Sequence, residues 1–333
     1  MDMVTGYWKS QAIATATRLG IADVLADGPM DAEAIAEATN ANPDAIYRLL
    51  RALASVGVFA HEGERSFTNT PMSDVLKKGG MLSMRAVIML FATPMHWLNW
   101  GELARAIRTG QSPMRHLHGV DDPFQYFKLH PEEEEFHRNA LDELSRTEIP
   151  AIRGAYDFSD IGTLVDVGGS YGKLLAYLLQ TNPDMKGVLF DSPEIIEGIS
   201  DGPLTEPALE GRWEAVAGDF FESVPSGGDA YVLKNVLDDW SDEHCKKILQ
   251  SIRRAIAPGG RVLVMDFVVK SEPGPDQAKW VDLNMMLVAN GGRERTKEEF
   301  AALFAETGFE LARIVPTMMP ISIVEARIAG ESA

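Results

Sequence analysis

The chain has 333 residues and a formal net charge of −18, from 31 Lys and Arg against 49 Asp and Glu, with a single cysteine. That length suits two domains of roughly 100–200 residues each, and so acidic a chain is a poor match for non-specific binding to nucleic acid or anionic membranes, which needs positive potential. Cys245 has no second cysteine to pair with, which excludes an internal disulfide and a cysteine-rich metal site and makes a reducing cytoplasm the expected location.

No window approaches the roughly 20 consecutive apolar residues of a membrane span. The most apolar stretch, residues 82–98, carries Arg85 and Pro94 and is expected to form a buried or interface helix. The N-terminus has Asp2 and no basic segment, so no secretory signal is expected.

Residues 7–19 are apolar at helical spacing. Asp31 is placed to cap a helix over 32–39, and Asn42-Pro43 opens another over 44–56, with Ile46, Leu49, Leu50 and Leu53 on one face and Gly57 at its end. Two short strands, 58–60 and 66–68, flank the turn His61-Glu62-Gly63-Glu64. Helix, helix, hairpin is a winged-helix pattern, which serves DNA readers and also packing or dimerisation modules. Beyond Arg48 and Arg51 the second helix has little basic charge, which favours the module. A winged-helix regulator is the more distant alternative. A helical middle follows over 81–156, where Glu132-Glu133-Glu134-Glu135 after Pro131 suits a helix first turn.

From residue 163 the texture changes. Strands are expected at 163–167, 186–190, 213–217, 230–233 and 261–269, alternating with helices at 174–180, 193–197 and 242–257, before a closing hairpin of 309–315 and 321–327. This alternation predicts an α/β fold: a doubly wound, mostly parallel sheet with helices on both faces, preceded by the helical winged-helix-like domain.

The first strand of that sheet runs into Gly168-Gly169-Ser170-Tyr171-Gly172. Glycines there let the backbone approach a ligand at the carboxyl ends of the strands. Asp191 closes the next strand, where an acid accepts from ribose hydroxyls. Gly218-Asp219-Phe220-Phe221 follows the third and offers a carboxylate beside two aromatics. The glycine loop with two acids in register, after three successive strands, points to a nucleoside-type cofactor.

Asp166-Val167-Gly168-Gly169, Phe190-Asp191-Ser192-Pro193, Gly218-Asp219-Phe220-Phe221, Leu233-Lys234, Asp239-Trp240-Ser241-Asp242-Glu243, Ala257-Pro258-Gly259-Gly260 and Gly291-Gly292-Arg293-Glu294-Arg295-Thr296 occur in that order. In these motifs the chain resembles the caffeic-acid-type small-molecule O-methyltransferases of plants and bacteria, over nearly its whole length. The resemblance implies S-adenosylmethionine as cofactor, with Asp166, Gly168 and Gly169 at its methionine part, Asp191 at ribose, Gly218, Asp219 and Phe220 at adenine, and Lys234 alongside. It also implies a substrate wall including Trp240, Met285 and Met286, a small aromatic or polyketide-type substrate, and a homodimer. The expected divisions are a dimerisation domain (1–105), a helical substrate roof (106–157) and the cofactor domain (158–333).

The chain departs from the family at one position. A histidine normally precedes the Asp-Trp pair; here that residue is Asp238. Phenol methylation needs a base near neutral pKa, and an unperturbed aspartate sits at about 3.9. Burial raises such a value, and Asp239 is expected to point elsewhere. Asp238 is one catalytic candidate. Asp266 and Glu294, which match acids flanking the family's histidine, are two more, and His96, His116 and His118 are weaker ones. No metal is expected. The main alternative is a cofactor-binding tailoring enzyme that hydroxylates, decarboxylates or rearranges instead of methylating, with the sulfonium as a fixed charge.

Overall fold

The computed structural model describes residues 1–331; Ser332 and Ala333, the end of the expected cofactor domain, lie outside it. It divides into two compact units, Met1–Leu98 with Tyr126–Arg146, and Asn99–Gln125 with the chain from Thr147 onward.

The first unit opens with α1 (Gly6–Arg18), α2 (Ile21–Val24), β1 (Met30–Asp31), α3 (Ala32–Ala38) and α4 (Pro43–Ala54). Both expected caps form: Asp31 accepts from the Ala34 N–H at 2.7 Å and Asn42 from the Ala45 N–H at 3.0 Å. Each satisfies an orphan donor of a first turn. On α4, Ile46, Leu50 and Leu53 are buried, one face of the helix as the spacing predicts. β2 (Phe59–His61) and β3 (Ser66–Asn69) form the hairpin, and β1 adds an unexpected third strand beside β3. Two residues are too short a run to show a period in sequence.

After α5 (Pro71–Asp74), the apolar stretch 82–98 is a pair of helices and not one: α6 (Arg85–Phe91) stops at Ala92, and α7 (Pro94–Gly101) begins at Pro94. Proline disfavours helical backbone in the residue before it and lacks an N–H to continue the ladder. Then come α8 (Leu103–Thr109), α9 (Met114–His118), α10 (Pro123–Leu129) and α11 (Pro131–Ala155), whose first turn holds Glu132, Glu133 and Glu134. Glu143 accepts from the Ala86 and Val87 N–H groups at 2.7 and 3.2 Å, a carboxylate set against the positive start of α6.

Two histidines of the first unit, His96 buried and His137 half-buried, are shifted downward. Burial, and then His137, lowers His96 from the usual 6.5 to about 4; burial alone lowers His137 to about 4. Both are neutral at pH 7, and the unfolded chain binds their protons more readily. Stability from this source is present above pH 6.5 and is lost as pH falls through about 4. His96→Gln/His137→Gln is expected to flatten the acid side of a denaturant-midpoint profile between pH 6.5 and 4; an unchanged slope would refute the assignment.

The second unit is built on an eight-stranded sheet. Its elements are β4 (Thr163–Val167), α12 (Lys173–Thr181), β5 (Lys186–Asp191), α13 (Pro193–Glu197), β6 (Trp213–Ala217), β7 (Ala230–Lys234), α14 (Asp242–Ala255), β8 (Arg261–Val269), α15 (Gln277–Val288), β9 (Arg295–Thr296), α16 (Lys297–Ala305), β10 (Phe309–Pro316) and β11 (Ile321–Ile328). The strand order is β10-β11-β8-β7-β4-β5-β6, with β9 paired to β8 off that path. β4 through β8 run parallel, and β10 and β11 are the antiparallel closing hairpin. Successive strands go one way from β4 to β5 and β6, then return to its other side at β7. That reversal makes β4/β7 the switch point, where a doubly wound sheet opens a crevice at its carboxyl ends.

The strand period of two divides the core. Val165, Val167, Tyr231 and Leu233 pack on one face with Cys245, Ile248, Leu249 and Ile252 of α14. Leu164, Val232, Leu263 and Met265 pack on the other with Leu174, Leu175 and Leu178 of α12. Alternate residues of a strand face opposite sides, so apolar strands with no polar face require two covered faces. Among the described residues no helix is long and apolar enough to cross a membrane.

Candidate cofactor and catalytic site

The chain leaves β4 through Gly168, whose φ of +69° is left-handed and natural only to glycine. Its N–H donates to the Phe190 carbonyl at 2.8 Å, which holds the loop over β5. A Cβ on Gly169 would lie 2.6 Å from both Asp166 Cγ and Leu189 Cδ1. The loop therefore folds directly onto the Asp166 carboxyl, which is 1 % exposed, with Oδ2 lacking any partner. Burial, then Asp191, pushes Asp166 up to about 7, while Lys234 opposes.

Asp191 ties the loop to the end of β5, accepting from the Ser170 N–H at 2.8 Å and from the Ser192 N–H at 2.7 Å. Burial raises its carboxyl and these two donors lower it. Lys234, at the end of β7, pairs with Glu148 of α11 at 2.7 Å, with both side chains largely buried. Nothing in the sequence distinguishes Glu148 from the other acids of a 25-residue acidic helix, and only packing singles it out. At the end of β6, a Cβ on Gly218 would meet the Phe190 ring at 2.6 Å. Asp219 is exposed and accepts from the Phe221 N–H at 2.8 Å. Phe220, Phe221 and Trp240 form an edge-to-face cluster, with centroids 4.7 Å apart for the phenylalanines and 4.9 Å for Phe221 and Trp240.

These residues fit S-adenosylmethionine. A ligand-facing loop that tolerates no Cβ, an unpartnered buried Asp166 oxygen, carboxylates at the ends of β5 and β6, and an aromatic wall are what a nucleoside carrying a charged amino-acid tail needs.

The Asp238 turn lies beside this wall. Residues Leu237–Asp239 form one 3-10 turn after Asn235, which takes a φ of +51°. Asp238 Oδ1 is buried without a hydrogen-bond partner, and so are both carboxyl oxygens of Glu294. Asp266, on β8, is 2 % exposed and accepts from the Asn235 N–H at 3.0 Å. The three carboxyls, which come from three segments, act on one another. Burial raises Asp238 to about 6, with Arg295 and Lys234 holding it down. Burial, then Asp238, then Asp266 push Glu294 to about 10. Asp266 lies well above the ordinary range from burial and Asp238. Burial, then Asp238, Asp266 and Asp122, raise the adjacent Asp239 well above the ordinary carboxylate range.

Within the cluster, Glu294 at about 10 keeps its proton at pH 7 while Asp238 at about 6 ionises more readily, and Asp266 is shifted upward in the same direction as both. A protonated Glu294 is able to donate a hydrogen bond at neutral pH, and an ionised Asp238 to accept one. No group of three or more His, Cys, Asp or Glu among the described residues has a metal-binding arrangement.

Of the histidines, His96 bonds Thr93 in the first unit, His116 is exposed, and His118 Nε2 meets Asn99 Oδ1 at 2.9 Å. None is aimed at Asp238 through any of these contacts. Met285 is buried and Met286 half-buried on α15, the helix whose Asp282 accepts from the Glu294 N–H at 3.0 Å. In the sequence Arg295 is marked only as part of the Gly291–Thr296 motif. It is 1 % exposed and donates to five different groups around the Asp238 turn.

Residues 1–79 match the O-methyltransferase dimerisation domain and residues 100–310 the O-methyltransferase domain. A phenazine O-methyltransferase from Lysobacter antibioticus is 37 % identical over 98 % of this chain and 95 % of its own. The solved mitomycin 7-O-methyltransferase superposes with a TM-score of 0.89 at 37 % identity, covering 98 % of this chain and 96 % of that one. An O-methyltransferase from neocarzinostatin biosynthesis, solved with S-adenosylmethionine and 2-hydroxy-5-methyl naphthoic acid, gives 0.81 at 30 % identity, covering 96 % of each. With this site on this fold, and both family segments in place, the chain belongs to the caffeic-acid-type family of S-adenosylmethionine-dependent O-methyltransferases.

Proposed function

We propose that the protein methylates a hydroxyl of a small aromatic or polyketide-type secondary metabolite, with Asp238 as the proton acceptor. The observation that carries this reading is the buried carboxyl cluster: Asp238 Oδ1 has no hydrogen-bond partner, and burial raises Asp238 to about 6, Glu294 to about 10 and Asp266 well above its ordinary value. A base near neutrality is what phenol deprotonation needs.

When bound, S-adenosylmethionine supplies an electrophilic methyl group on a sulfonium. Asp191 and Asp219 hold the ribose and adenine ends, the Gly168-Gly169 backbone and Asp166 hold the methionine end, and Lys234, paired with Glu148, lies alongside. Asp238 takes the hydroxyl proton of the substrate. The hydroxyl oxygen then forms the new bond to the methyl carbon as the carbon–sulfur bond breaks. Glu294, raised to about 10, is neutral at pH 7 and adds no repulsion against an oxyanion. Trp240, Met285 and Met286 supply apolar surface for the ring. Much of the acceleration is alignment.

The relatives named for phenazine and mitomycin support an aromatic or quinone-like substrate. The dimerisation domain supports a homodimer, and the lone buried thiol suits a reducing cytoplasm. Incubation with methyl-labelled S-adenosylmethionine and a panel of phenols, naphthols and phenazines tests the reaction. Label in the product together with stoichiometric S-adenosylhomocysteine is expected. A converted substrate without label would replace the reading with hydroxylation, decarboxylation or rearrangement.

A further inference from the structure

We infer that Arg295 is the positioning residue of this site: its buried guanidinium clamps the turn that carries Asp238 and supplies the fixed cation facing the carboxyl cluster. The inference rests on the reading of Asp238 as proton acceptor.

The turn cannot hold itself. Its internal bonds, Asp239 N–H to Val236 at 3.4 Å and Trp240 N–H to Leu237 at 3.3 Å, are long. Arg295 closes it from outside. Nη1 donates to the Leu237 carbonyl at 2.8 Å and Nη2 to the Trp240 carbonyl at 3.0 Å, one on each side of Asp238-Asp239. Nε and Nη2 also grip Asp242 Oδ1 at 3.0 and 2.8 Å, at the start of α14, and Nη2 lies 3.3 Å from Cys245 Sγ.

The segment that delivers the arginine is itself anchored. Its backbone pairs with Val268 of β8, and the Arg293 N–H donates to the Asp238 carbonyl at 2.8 Å. Gly292 packs against that same carbonyl, where a Cβ would come within 2.6 Å. Only a planar fork reaches two carbonyls and a carboxylate together; lysine offers a point charge.

The charged and titratable groups around the turn are Asp239 beside it, Asp266 on β8, Glu294, Asp282 on α15, Asp242, His244 and Cys245 on α14, Asp122 from the loop before α10, and the cations Lys234, Arg293 and Arg295. The carboxyls outnumber the cations, so removing Arg295 raises the cost of ionising Asp238.

Arg295→Met is expected to lower kcat on the order of 100-fold, with KM for the aromatic substrate changed less than about threefold. The acid limb of its pH–rate profile moves to higher pH. Arg295→Lys keeps the charge and loses the fork: kcat still falls about tenfold, but the acid limb stays with the wild type. An independent readout is the single cysteine, buried at 0 % exposure, which becomes reactive toward a maleimide in cofactor-free Arg295→Met. Wild-type kcat and acid limb in Arg295→Met, or a silent Cys245, overturn the inference.

If Arg295→Met does not fold, Asp242→Asn, which loosens only the outer grip, carries the test through a smaller loss of kcat and partial Cys245 labelling; wild-type values for both overturn it. Asp238→Asn separates the two ideas. If it keeps full activity, the reading of Asp238 fails while the Cys245 result still reports on the clamp.

Discussion

Asp238→Asn is expected to lower kcat for methyl transfer by about 10²–10⁴-fold at pH 8, with affinity for S-adenosylmethionine little changed. Asparagine keeps the shape of the side chain and removes its ability to take a proton. The sign of the pH dependence follows from the cluster. Asp238 is raised to about 6, so the wild-type rate falls as pH drops through that value and the acceptor becomes protonated. Asp238→Asn loses this limb. Asp238→His, which restores the family's residue, is expected to recover most of the rate. Steady-state rates across pH 5–9 and cofactor titration by calorimetry check each point. Full activity in Asp238→Asn at every pH would mean that the substrate arrives ionised or that another group takes the proton.

Gly169→Ala is expected to weaken S-adenosylmethionine binding by about 10- to 100-fold, the equivalent of the roughly 1–3 kcal/mol that overpacking costs. The added methyl would lie 2.6 Å from Asp166 Cγ and from Leu189 Cδ1. Asp166 is fully buried and Leu189 belongs to the core beneath the sheet, so neither yields without moving the loop. The control is Gly6→Ala on α1, where a Cβ meets nothing within 4 Å and an alanine favours the helix. Calorimetry and thermal unfolding of both variants separate a lost cofactor site from a general loss of stability. Wild-type affinity in Gly169→Ala would contradict the close approach of loop to carboxyl.

Much of the fold was legible in the sequence because its signals are local. Strands 163–167, 213–217 and 261–269 were expected with the bounds that form; the first two runs end at Gly168 and Gly218 and the third at Lys270-Ser271. Asp31 and Asn42 cap the helices their chemistry suits. The expectation for 82–98 failed because apolar content outweighed Pro94, which breaks the stretch in two. The 3-10 turn Leu237–Asp239 is too short a run to show a period in sequence.

The sequence by itself therefore determined the order of strands and helices along the cofactor domain and the family, and it picked out the glycines and aspartates proposed for the cofactor site. It also marked Asp238 as the odd residue. It did not determine what Asp238 is able to do. That depends on Asp266, Glu294 and Arg295, which lie 28, 56 and 57 positions further along the chain, and on their burial together at the end of the sheet. Ionisation of a carboxyl is set by the water it loses and the charges it faces. Both are properties of packing between distant segments, so only the tertiary structure turned a missing histidine into an aspartate poised near neutrality.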